Sequence, residues 1–111
     1  ANQLVALPPA IGDLRGLVSL DLSDNLLAYL PPEMCRLTGL VELLLFNNRL
    51  SLLPPELGYL YQVESIALDG NPWDEPVAGV LAAQGPLAVL PFLRDNLLGI
   101  PRVVLIPRFS N

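Results

Sequence analysis

The sequence has no histidine, no lysine, a single cysteine and one tryptophan, and charged residues make up only 15% of it. Each scarcity excludes something. Without histidine the commonest general base and metal ligand is missing. No H-E-x-x-H, C-x-x-C, glycine-rich phosphate loop or nucleophile elbow occurs, and Ser19, Ser23, Ser51, Ser65 and Ser110 have no partner base. No catalytic residue, resident metal or cofactor is expected. Cys35, being alone, cannot form an internal disulfide. Positive charge is confined to Arg15, Arg36, Arg49, Arg94, Arg102 and Arg108, scattered among eleven acids for a net charge of −5. A phosphate-binding surface needs a clustered basic face, so direct nucleic-acid contact is disfavoured. Long apolar runs are also missing. The best stretch, residues 77–93, is broken by Gly79, Gln84, Gly85, Pro86 and Pro91 and falls short of the roughly 20 residues that cross a bilayer. No basic segment leads into an apolar run at the start, so a signal peptide is not indicated. A hydrophobic content of 52% argues against disorder, and 111 residues suffice for one domain.

What is present is a repeat. Asn2, Asn25, Asn48 and Asn71 are spaced by 23 residues. The same interval links Leu4, Leu27 and Leu50, then Leu7, Leu30 and Leu53, and a Pro-Pro pair follows each time, at Pro8, Pro31 and Pro54. Ile11, Met34 and Leu57 share a phase, as do Leu14, Leu37 and Leu60. So do Leu17, Leu40 and Val63, then Leu20, Leu43 and Ile66, then Leu22, Leu45 and Leu68. Nine columns in register leave almost no room for chance.

These columns resemble the consensus of leucine-rich repeats, L-x-x-L-x-L-x-x-N-x-L-x-x-L-P followed by a convex segment, and the physics fits. Leu20 and Leu22 alternate in a short strand and so point to one face, the interior of a solenoid. Each asparagine sits where the chain turns and backbone groups would otherwise be buried unpaired. Its side-chain amide can satisfy a donor and an acceptor at once, so Asn2, Asn25, Asn48 and Asn71 are expected to form a structural ladder. Each Pro-Pro sets an extended lead into the convex side. One coil cannot bury its leucines, but stacked coils share a core. The expected fold class is therefore α/β: a short solenoid with a parallel concave sheet, an irregular or helical convex side and a helical cap.

Repeats occupy residues 1–71, with 17–39 and 40–62 complete and 63–71 supplying a fourth strand and turn. Residues 1–16 start partway through a repeat, at a phase expected of a fragment of a longer solenoid with an open core. After Asn71 the pattern dissolves, with Trp73 and Pro76 in the leucine columns. Residues 77–84 and 86–97 read as two helical segments of a cap spanning 72–98, with Pro86 at a favourable first position. Pro91 is expected to kink or break the second. Residues 99–111 read as a tail or linker to a further domain, in which 103–106 looks like an extended strand that needs a partner. Leucine-rich-repeat proteins outside the cell usually close their ends with disulfide-bonded caps, which a lone cysteine cannot form. A cytoplasmic address is expected, with a nuclear one also open.

Residues between the core leucines of each strand should line the concave surface. Asp21, Asp24, Glu42, Leu44, Phe46, Asn47 and Asp69 are the candidate protein-binding residues. Leu44 and Phe46 are expected to face solvent beside acidic neighbours, as the apolar centre of an interface with a polar rim. Alternatively Phe46 packs down on Leu44 or an adjacent coil. Four carboxylates, Asp21, Asp24, Glu42 and Asp69, could hold a divalent cation, but carboxylates at strand spacing are no oxygen cage by default, and a solvated face is the favoured reading. Trp73 could anchor a partner, though its core column favours packing. Cys35 shares a column with Gly12 and Gly58 and reads as a small convex residue.

The Leu-Pro-Pro segment and the period of 23 look like the intracellular plant-type and Ras-scaffold repeats. A narrower resemblance begins with Leu45, Phe46, Asn47 and Asn48. It continues through Gly58, Tyr59, Leu60, Tyr61 and Gln62, then Asp69, Gly70, Asn71 and Pro72, then Leu93, Arg94, Asp95, Asn96 and Leu97. Over residues 41–106 the chain resembles the repeat domain of carbon-catabolite-repression-type poly(A) deadenylase subunits. That resemblance implies a non-catalytic module docking a Caf1-type deadenylase in an mRNA deadenylation complex, ahead of a Mg²⁺-dependent nuclease domain in the parent protein. It implies no nuclease activity for these residues, and Gly-Asn-Pro-Trp is shared with many other repeat proteins. The alternative is a scaffold in Ras-type or immune signalling. Neither reading calls for a membrane or a small molecule as partner.

Overall fold

The computed structural model describes residues 2–96, and it coils as the columns require. Three strands, β1 (Ser19–Asp21), β2 (Glu42–Leu44) and β3 (Ser65–Ala67), form one parallel sheet in the order β1-β2-β3. Ser19 pairs with Glu42 and Glu42 with Ser65, while Leu20, Leu43 and Ile66 lie side by side. The register therefore equals the sequence period. Since neighbouring strands are about 4.8 Å apart, each 23-residue coil advances the solenoid by one strand.

Opposite each strand lies a 3-10 helix of five residues, at Pro9–Asp13, Pro32–Arg36 and Pro55–Tyr59. The Pro-Pro pairs explain their start. The first proline is extended, with φ/ψ of −73°/152°, −72°/138° and −62°/133° at Pro8, Pro31 and Pro54. The second proline opens the helix where its missing N–H costs nothing. Each helix ends where Leu14, Leu37 or Leu60 donates its N–H three residues back. A 3-10 turn suits this short span because its tighter bonds close in few residues.

The leucine columns meet in one core. Leu27, Leu37, Leu40, Leu43, Leu45, Leu50 and Leu57 are fully buried. The first coil has no described neighbour on its outer side, and there the core columns surface: Leu4 is 40% and Leu14 52% exposed.

The helical end comprises α1 (Val77–Gln84), a 3-10 turn at Pro86–Ala88 and α2 (Val89–Asn96). Gly85, with φ of 87°, stops α1 in a conformation open to glycine. The expected break at Pro91 does not occur. Pro91 is the third residue of α2, in the first turn, where an N–H has no partner within the α-helix. Val77, Val80, Val89, Leu90 and Leu93 of these helices join the core, and α2 packs across the 3-10 helix of the third coil. Trp73 is half-buried against the core and donates its indole N–H to the carbonyl of Leu68 at 2.7 Å. The Glu75–Pro76 peptide is cis. Among the described residues no helix is long and apolar enough to cross a membrane. The tail at 99–111, with its strand-like run, lies outside the described residues.

Candidate functional site: the concave face

Strand alternation divides the sheet. Leu20, Leu43 and Ile66 turn inward, which places Ser19, Glu42 and Ser65 in one concave row and Asp21, Leu44 and Ala67 in the next. Ser23, Phe46 and Asp69 share the row beyond, by the same 23-residue interval. Asp21, Asp24, Asn47 and Asp69 are exposed and Glu42 is half-buried. Leu44 and Phe46 differ from the expectation: both are half-buried, not fully solvent-facing.

Polar contacts run along and across these rows. The Ser19 hydroxyl donates to Glu42 Oε1 across β1 and β2. Asp21 accepts both the hydroxyl and the backbone N–H of Ser23. These hydrogen bonds stabilise the charged form, the hydroxyl most, and hold the Asp21 carboxyl below its ordinary 3.8. Among the described residues no group of three His, Cys, Asp or Glu side chains could hold a metal ion.

The next column has a backbone reason for its residue types. Asp24, Asn47 and Gly70 all turn the chain with positive φ, at 58°, 57° and 74°. Asparagine and aspartate tolerate this region better than other side-chain residues, and glycine best. Asn47 also donates its side-chain N–H to Asp24 Oδ1 at 2.9 Å. A Cβ on Gly70 would run into the Asn47 side-chain oxygen, so the column ends in glycine. Strand alternation places Asp24 and Asn47 on the concave face and says nothing of this turn. The repeated pattern of Asp, Asn and Gly is the signal for it.

Behind the turn run the ladder asparagines. Asn48 Oδ1 accepts the N–H of Leu27 in the preceding coil, and its Nδ2 donates to the carbonyls of Leu22 and Leu45. Asn71 repeats this toward Leu50, Leu45 and Leu68. Asn25 accepts the N–H of Leu4 at 3.0 Å. Asn2 is exposed and tied to Asp24 through its backbone N–H.

Two features have no signature in the repeat. A groove of about 420 Å³ lies beside β3, lined by Ile66, Ala67, Leu68, Asp69, Leu81 and Pro86. On the convex side Arg94 donates Nε–H to the Gly58 carbonyl, while its guanidinium lies 4.5 Å from the centre of the Tyr61 ring. Both depend on how the helical end folds back, and the 23-residue pattern stops before it.

Comparison with known proteins agrees with this architecture. The family model described as Leucine Rich Repeat matches residues 16–37 and 39–60. No curated protein matches the chain. Among solved structures it is similar to a leucine-rich-repeat protein of Leptospira interrogans, with 39% identity and a TM-score of 0.65 over 67% of this chain. The chain spans 19% of that protein's length. The repeat in the sequence and the coil in space are thus one feature, and the fold is a leucine-rich-repeat solenoid, an architecture generally used as a non-enzymatic scaffold for binding other proteins.

Proposed function

We propose that the concave face docks another protein, with Leu44 and Phe46 at the centre and Asp21, Asp24, Glu42 and Asp69 as an acidic rim. One observation carries the reading. Two large apolar side chains on the middle coil stay partly accessible on a face otherwise lined by Ser, Asp, Asn, Glu and Ala. An apolar centre with a polar surround is the anatomy of a protein interface. The rim would steer a partner with a basic surface.

The partner we propose is a Caf1-type deadenylase, inside an mRNA deadenylation complex in the cytoplasm. Its support is the sequence resemblance, which begins just past β2 at Leu45 to Asn48 and continues into the helical end at Leu93 to Asn96. A role in Ras-type or immune signalling rests on the repeat type alone. The test is titration of a purified Caf1-type deadenylase against the chain and against a variant carrying Leu44→Ala and Phe46→Ala. Interface-centre truncations commonly cost about 2 kcal/mol or more, so binding should weaken by at least about thirtyfold. Equal affinity of the variant would remove the concave site. A parent chain that does not bind would remove this partner.

A further inference from the structure

The groove beside β3 opens onto the concave rows. Ala67 shares a row with Asp21 and Leu44, and Asp69 shares one with Ser23 and Phe46. Both residues line the groove, and Leu81 and Pro86 of the helical end form its far wall. Its mouth is accessible, since Asp69 and Pro86 are exposed and Leu87 is 57% exposed. At about 420 Å³ it has room for a large side chain. A free small molecule fits less well, because such ligands bury roughly 70–90% of their surface and this groove stays open along the sheet.

Ala67 makes the room. The same position carries Asp21 on β1 and Leu44 on β2, and strand alternation directs all three side chains to the concave surface. A leucine at 67 would project into the space where alanine offers one methyl group.

Charge narrows the occupant further. Every charged residue of the three concave rows is acidic: Asp21, Glu42 and Asp69. Among the described residues Asp69 is the one charged group lining the groove. An acidic segment would meet like charge here. An uncharged polar side chain would lose its water against Ile66, Leu68 and Leu81 without regaining hydrogen bonds. A large apolar side chain with a basic residue close by satisfies both walls and charge.

We propose that the groove is the anchor pocket of the concave face. It takes one large apolar side chain of the docked protein, Asp69 holds a lysine or arginine within two residues of it, and Ala67 sets the size accepted. This rests on the concave-face docking described above and adds what the partner must present. Ala67 stands about 4.8 Å from Leu44, one strand away, and same-side residues of an extended segment lie about 6.8 Å apart. An anchor just past Ala67 therefore places the residue two positions away over Leu44.

The test is an NMR titration of the complete chain with a blocked peptide of sequence Ser-Leu-Ser-Phe-Ser-Arg. The amides of Ala67, Asp69 and Leu81 should shift. Alanine in place of the peptide's phenylalanine should weaken binding at least about tenfold, the loss expected for one buried aromatic side chain. Glutamate in place of its arginine should weaken it about twofold to fivefold. Ala67→Phe fills the groove and should also cost at least about tenfold, whereas Ala67→Ser keeps the space and should bind as the parent does. Unchanged hydrogen exchange at the Leu22 and Asp24 amides, which pair with β2 and its turn, shows that the solenoid stays folded. A peptide that does not shift Ala67 and Leu81, or an Ala67→Phe chain that binds as tightly as the parent, overturns the proposal. So do shifts of these amides on dilution without peptide, because the occupant is then a second copy. The two readings fail separately. If Leu44→Ala with Phe46→Ala weakens deadenylase binding and Ala67→Phe does not, the concave site stands and the anchor pocket falls; peptide binding in the groove with no effect of the double variant on the deadenylase gives the reverse.

Discussion

The side-chain oxygen of Asn48 accepts the backbone N–H of Leu27, one coil back, at 3.0 Å. The same side chain donates to the carbonyls of Leu22 and Leu45, so one amide serves three backbone groups at a residue that is only 7% exposed. Substitution by alanine strips the Leu27 N–H of its partner, whereas the Leu22 and Leu45 carbonyls keep the side-chain amides of Asn25 and Asn71. With about 1–3 kcal/mol for the orphaned N–H and a smaller loss at the two carbonyls, Asn48→Ala should cost about 2 kcal/mol. Asn2→Ala, at an exposed position of the same column, should cost less than about 0.5 kcal/mol. Urea denaturation of both variants checks the contrast. Equal losses would mean that the ladder bonds contribute little.

That relationship is legible in the sequence because a solenoid writes its contacts at a fixed interval. Residues 23 apart are neighbours in space, so the Leu20, Leu43 and Ile66 column and the asparagine column are visible as repeats in the residue order itself. Features outside the period are harder to read. Pro91 looks like a helix breaker when α2 is taken to begin at Pro86, and becomes harmless once a 3-10 turn intervenes and α2 begins at Val89. Alternation puts Leu44 and Phe46 on the concave face, but their partial burial has no mark in the residue order. Asp24 and Asn47 carry a backbone demand as well as a surface position. A partner cannot be read from residue types that a turn already explains.

Asp21 offers a measurement of the concave face in solution. The Ser23 hydroxyl and N–H favour its carboxylate, so the carboxyl should titrate below 3.8, followed by ¹³C NMR. A depressed folded value means that the associated stabilisation is present above the unfolded pKa and lost as pH falls through the folded one. Ser23→Ala removes the larger of the two hydrogen bonds and should move the midpoint up toward 3.8. An unchanged midpoint would leave the Ser23 hydroxyl no part in it.

Arg94 joins the helical end to the third coil in two ways, through its bond to the Gly58 carbonyl and its position over Tyr61. Lysine keeps the charge but lacks the planar fork and the Nε donor. Arg94→Lys should cost about 1 kcal/mol from the lost hydrogen bond. A double-mutant cycle of Arg94→Ala with Tyr61→Leu should show a coupling of about 0.5–1 kcal/mol, the usual range for a cation over an exposed ring. Thermal unfolding of the four proteins reads it, and strict additivity would show that the two side chains act separately.

Gly58 and Cys35 occupy the same position in successive coils but face different neighbours. A Cβ on Gly58 would lie 2.6 Å from the backbone nitrogen of Arg94 and 2.7 Å from its Cα. Those atoms belong to α2, which cannot step aside without lifting Leu93 and Leu90 from the core. At Cys35 the neighbouring coil already accommodates a side chain, and the thiol is half-buried. Gly58→Ala should therefore cost about 1–3 kcal/mol, the range for overpacking a tight site, whereas Cys35→Ala should stay within about 0.5 kcal/mol. The larger loss should come with faster amide exchange in α2 than in β1, since the strain acts where the helix meets the third coil. Equal destabilisation by the two substitutions would show that α2 does not press on Gly58.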